Sequence, residues 1–171
     1  MDVRLTDYTD LWAHSFTEEA KRLQSLFGDE LIRIEHFGST AVPGSKAKPV
    51  VDMIVLVQDI NRIDLLNDTM KFHGYDIAGE WGIPGRRLFR KGWDKRSHHI
   101  HVYQSDHPEV DRHLLVRDFL RAHPKEVDAY NQLKVGLVAL YPQTKEYSKA
   151  KKPYVQALER RALIWAKDHS K

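Results

Sequence analysis

Residues 50–57 read VVDMIVLV. The run is apolar at successive positions, so it predicts a central strand that must be covered on both faces. One residue breaks it. A carboxylate such as Asp52 is costly to bury unless it is paired or holds a cation. Either the end of this strand faces a cleft, which makes Asp52 a metal ligand or a base, or Asp52 is a structural acid. In the second case it pairs with an arginine or lysine, or caps a neighbouring loop.

The layers that cover such a strand are legible in the rest of the chain. Trp12, Phe16, Ala20, Leu23 and Phe27 recur at helical spacing and predict a helix over 11–27. Thr9 or Asp10 is placed to cap it, and Gly28 to end it. LIRIEHF (31–37) alternates and reads as a strand. A helix is expected over 61–73, followed by a turn at Gly74. A glycine-rich turn then leads into a strand over 86–91, and HHIHVYQ forms another, with the short link predicting an antiparallel hairpin. From Pro108 onward the pattern is helical, over 108–121, 124–141 and about 146–167. Pro153 is expected to interrupt the last helix, with an irregular lead-in over 148–152. This order predicts an α/β (α+β) fold: a mixed β-sheet with packed helices and a helical C-terminal part, as one domain over 1–171.

Composition narrows the partners. There is no cysteine, which excludes disulfides and thiolate metal sites. No run reaches the roughly 18 apolar residues of a membrane span, so no membrane partner is expected. The N-terminus lacks an apolar signal-peptide core, and a cytoplasmic setting is the expectation. A net charge of +3 and a pI of about 9.0 suit an anionic small molecule, but without a clustered basic face nucleic acid is not expected as a partner.

Four groups of residues carry candidate chemistry. The Gly38-Ser39-Thr40 turn offers close backbone approach, amide donors and two hydroxyls for a phosphate, with Lys48 following. Five residues separate Gly38 from Gly44, so this is not a Walker A loop, and a plain connecting loop explains the same residues. On the HHIHVY strand, His99 and His101 share one face while His98, Ile100 and Val102 share the other. Two imidazoles at i and i+2 make a pair of metal ligands or an acid/base pair; surface histidines are the alternative. Arg86 and Arg87 point to opposite faces, so one of them is expected to reach a shared site and fork onto phosphate oxygens. Glu80 is an additional metal-ligand candidate, and Glu35 a weaker one beside Arg33. The basic group Lys145, Lys149, Lys151 and Lys152 reads first as a solvated face and second as a contributor to substrate binding, and Arg117 with Arg121 first as a helix surface and second as a phosphate clamp.

EHFGSTAVPGSKAKPVVDMIV resembles the signature of the GrpB family, roughly E-H-x-G-S-T-x-V-P-G followed by K-P-x-x-D-x-x-V. GIPGRRLFRKG, HHIHVY, LLVRDFLRAHP and YNQLKVGL resemble its later blocks in order. Some relatives carry such a domain fused to a dephospho-CoA kinase. The family in turn resembles the DNA polymerase β-like nucleotidyltransferases. That resemblance implies a nucleotidyltransferase-like mixed sheet, with Gly38-Ser39 as the substrate turn and Asp52 as the first metal carboxylate. The second carboxylate belongs two residues on, where this chain has Ile54, and the place of the third is taken by His99 and His101. A lone aspartate does not bridge the two cations of two-metal phosphoryl transfer.

The resulting expectation is a protein that binds a nucleotide or other phosphorylated small molecule, with possible nucleotidyl or phosphoryl transfer. Asp52, His99 and His101 would hold a divalent metal or move a proton, with Glu80 a further metal-ligand candidate. Two imidazoles would favour Zn, Mn, Ni or Fe over Mg. The alternatives are a non-catalytic nucleotide- or coenzyme-binding module and a metal-dependent phosphoester hydrolase. Substrate, acceptor and oligomeric state are not specified by the residues.

Overall fold

The computed structural model describes residues 2–169. Helix α1 (Leu11–Phe27) precedes strands β1 (Leu31–Phe37) and β2 (Val51–Val57). Short helices α2 (Ile60–Ile63) and α3 (Asn67–Phe72) lead to β3 (Tyr75–Gly79), β4 (Arg87–Lys91) and β5 (His98–Gln104). Helices α4 (Glu109–Ala122), α5 (Pro124–Leu140) and α6 (Thr144–His169) complete it. The sheet order is β1-β2-β5-β4-β3, and only β2 and β5 run parallel. This is the mixed sheet with packed helices that the element order predicts, and β4–β5 is the expected antiparallel hairpin.

The two-sided cover of β2 is realised by two separate apolar clusters. Met53, Val55 and Val57 pack with Leu23 and Phe27 of α1, Met70 of α3, and Ile100 and Val102 of β5. Ile54 and Leu56 face the other way and pack with Phe37, Tyr103, and Val110 and Leu114 of α4. Each buried side chain of this size stabilises the fold by about 1.5–3 kcal/mol. A third cluster joins Phe119 and Leu120 of α4, Tyr130 of α5, and Leu158 and Ala162 of α6 around Val42. It fastens the helical C-terminal part to the loop that follows the Gly38 turn.

Three local expectations are corrected. Residues 61–73 do not form one helix; a 3-10 turn at Asp64–Leu66 separates α2 from α3. An additional edge strand, β3, pairs with β4; its sequence YDIAG has little β-branched content, so local preference does not mark it. Helix α6 runs unbroken through Pro153, with no irregular lead-in. Proline removes one helical hydrogen bond. Burial of Tyr147 before it and Leu158 and Ala162 after it outweighs that loss.

Candidate functional site

Neighbouring residues in a sheet register lie on one face, so pairing decides what meets Asp52. Phe37 of β1 and His99 of β5 stand directly beside it, and His101 stands two positions further along β5. His101 Nε2 lies 3.2 Å from Asp52 Oδ1, and His99 Nδ1 lies 3.6 Å from the same oxygen. One ligand atom from each of the three residues can be chosen so that all lie within 4.8 Å of one another. Burial works to raise the Asp52 carboxyl, but hydrogen bonds from His101 and His99 outweigh it and hold the group well below the usual carboxylate range.

The Gly38 turn closes over this carboxylate. Gly38 has φ +74°, and a Cβ built there would lie 2.9 Å from Asp52 Oδ2. Only glycine brings the backbone so close with that dihedral. Ser39 and Thr40 follow in a 3-10 turn. The Thr40 hydroxyl bonds the buried ring of His36 at 2.9 Å. Burial lowers His36 to about 4, with the charge of Arg121 adding to it, so that ring is neutral near pH 7.

The turn, Asp52 and His99 open onto one cavity of about 330 Å³, and His101 stands behind Asp52, outside its lining. Gly38, Ser39, Thr40, Lys48, Asp52 and His99 all line it. So do two further lysines: Lys134 of α5, which the sequence reading did not single out, and Lys151 of α6, which is corrected from a solvated face to a residue lining the cavity. Lys134 is 2% exposed. Its Nζ donates to Ser39 Oγ at 3.2 Å and to the Lys46 carbonyl, and lies 4.4 Å from the centre of the Tyr130 ring. Asn131, one turn earlier, clips the loop to α5 by accepting from Lys46 N–H and donating to the Gly44 carbonyl, both at 2.8 Å. Burial, and then the charge of Lys151, lowers Lys134 to about 7. Burial, and then Lys48, also lowers Lys151. Among the described residues, none of the three lysines forms an ion pair. The signal for Lys134 was its place in YNQLKVGL, four residues after Tyr130 on the stripe that faces the core.

The remaining candidates divide. Arg86 reaches the face of Asp52: its Nη1 lies 3.2 Å from His101 Nδ1. Arg87 is corrected. It points away, where its Nε and Nη2 grip Asp64 at 2.7 and 3.3 Å. Arg87→Ala is therefore expected to leave ligand affinity unchanged and to cost roughly 1–2 kcal/mol in urea unfolding, because the guanidinium forks onto Asp64 and also pairs with Glu80 at 3.8 Å. Glu80 also stands apart from the metal-spaced group. Its Oε2 accepts from Gly85 N–H at 2.6 Å, so it braces the turn that carries Arg86. Glu35 is held by Arg117 at 2.6 Å and Arg33 at 3.0 Å. Ile54, two residues after Asp52 on the same strand face, is 0% exposed and lies in the apolar cluster.

The family model described as GrpB protein matches residues 2–161. The UPF0157 protein YqkA of Bacillus subtilis is 42% identical over 166 residues, covering 96% of this chain but 48% of that protein, so the chain spans about half the length of YqkA. The UPF0157 protein SCO7215 of Streptomyces coelicolor is 34% identical over 163 residues, covering 95% of this chain and 85% of that protein. The crystal structure of the conserved protein GrpB from Enterococcus faecalis overlays with a TM-score of 0.90 at 38% identity, covering 94% of this chain and 98% of that one. With the signature turn, the Asp52 strand and the histidine strand in place, the chain belongs to the GrpB family.

Proposed function

We propose that this chain binds a phosphorylated small molecule, such as a nucleotide, in the cavity between the Gly38 turn and helices α5 and α6. The observation that carries the reading is the group of Lys48, Lys134 and Lys151 lining one cavity, none of them in an ion pair among the described residues, with the Asp52 charge acting on Lys151 from the same cavity. Like charges gathered around one cavity, Lys134 buried and Lys48 and Lys151 half-buried, oppose folding, and an anionic ligand relieves that cost on binding. Phosphate oxygens are acceptors, and the three ammonium groups with the Ser39 hydroxyl are donors for them. Asp52 is an ionised acceptor in the same cavity, which favours a ligand that also carries a hydroxyl, as a ribose does. The reading stops at binding, because the buried Ile54 offers no second metal carboxylate for phosphoryl transfer. It thus favours the binding module over the transferase and the hydrolase.

Calorimetry with pyrophosphate and a panel of nucleotides tests this. Lys151→Met is expected to weaken binding by roughly 10- to 100-fold, the loss of one or two charge-assisted hydrogen bonds. Absence of binding by every phosphorylated compound, or equal affinity in Lys151→Met, would count against the cavity as the site.

A further inference from the structure

Arg86 fixes which nitrogen of His101 carries the proton. A guanidinium has five N–H donors and no acceptor. Because Arg86 Nη1 lies 3.2 Å from His101 Nδ1, that nitrogen must accept. The neutral ring then bears its proton on Nε2, which lies 3.2 Å from Asp52 Oδ1. Every link from Arg86 through His101 to Asp52 runs from donor to acceptor. Arg86 is itself fixed. It is 6% exposed, and it donates from Nε to the Glu80 carbonyl at 3.2 Å and from Nη2 to the Trp81 carbonyl at 2.8 Å.

This arrangement does not fit a metal at the grouped atoms. A cation there needs the lone pair of His101 Nε2. Freeing it moves the proton to Nδ1, where it faces a guanidinium N–H, donor against donor. The guanidinium charge also repels a dication. Without His101, Asp52 and His99 are two ligands, fewer than the three or four protein ligands of ordinary zinc sites.

We propose that the site takes its phosphorylated ligand free of divalent metal. Arg86 acts as a positioning residue that holds His101 as a donor to Asp52, and Lys48, Lys134 and Lys151 supply the positive charge. This rests on the reading of the cavity as a phosphate site, so the experiment has separate arms.

Long-range proton–nitrogen NMR of the wild-type protein at neutral pH reads the tautomer directly. The expected result is a His101 Nδ1 shift in the unprotonated range and an Nε2 shift in the protonated range. Zinc or manganese chloride alone is expected to give no binding heat and no shift of the His99 or His101 nitrogens. Pyrophosphate is expected to bind in EDTA at least as tightly as in excess magnesium. In a folded Arg86→Leu variant, His101 loses its single tautomer and zinc binding appears. If that variant does not fold, the wild-type measurements decide alone. An unprotonated Nε2, or zinc shifts at both histidines that vanish in Asp52→Asn, overturns the proposal. So does pyrophosphate binding that requires magnesium. Pyrophosphate that binds under neither condition overturns the phosphate reading instead, and the tautomer and metal arms still decide the role of Arg86.

Discussion

Gly38→Ala is expected to destabilise the protein by roughly 2–6 kcal/mol in urea unfolding, the sum of two independent costs. The first is conformational. At φ +74° and ψ −174° the residue sits in a region that essentially only glycine occupies. The second is steric: the new Cβ would meet Asp52 Oδ2 at 2.9 Å. Asp52 has little freedom to withdraw, because His101 and His99 hold its other oxygen. If the chain relaxes by moving that carboxylate, the bond from His101 is lost and ligand affinity falls with stability. Gly136 is the internal control. It lies within α5, and a Cβ there meets nothing within 4 Å. Gly136→Ala should therefore stabilise the protein by about 0.5–1 kcal/mol, from helix propensity alone. Equal effects at the two positions would remove the argument that the Gly38 turn is built around Asp52.

What could be read in advance follows from the range of the forces involved. Period-two alternation is local, so the faces of β1 and β5 and the opposed pair Arg86/Arg87 are legible in the residues. Which arginine reaches the site is not local. It depends on Leu88 pairing with His101, which places Arg86, two residues earlier, on that face. The apolar run of β2 announces two covered faces, and the fold places a cluster on each. The strand β3 and the unbroken α6 escape because tertiary packing overrides weak local preference in both. Lys134 escapes for a different reason. A lysine on a helix is ordinarily solvated, and burial of Lys134 is decided by its contact with a loop some ninety residues earlier, through Ser39 and the Lys46 carbonyl.

The stability of the unliganded protein should rise with pH above neutrality, and Lys134 should be responsible. Its ordinary value is near 10.5 and burial lowers it to about 7 in the fold. Below pH 7 the lysine is charged in both states, and the folded protein bears the full cost of burying that charge. Between 7 and 10.5 the unfolded chain binds more protons than the folded one, so stability rises with pH, and above 10.5 the cost is gone. Relative to Lys134→Met, the wild type is expected to gain about 2 kcal/mol between pH 7 and 9, close to 1.4 kcal/mol per unit at the steepest. Lys48, Asp52, His99, His113, Arg117, Tyr130, Tyr147, Lys151 and Glu159 also line the cavity, and all of them remain in the variant. A bound phosphate reverses the sign. It favours the ammonium form, so binding takes up a proton, and affinity for pyrophosphate should fall by up to about tenfold per pH unit above 7. Calorimetry in buffers of different ionisation enthalpy counts that proton. A stability difference that stays flat from pH 7 to 9 means that Lys134 keeps ordinary basicity. Binding without proton uptake means that the anion does not sit on Lys134, and the phosphate would then have to be placed elsewhere in the cavity.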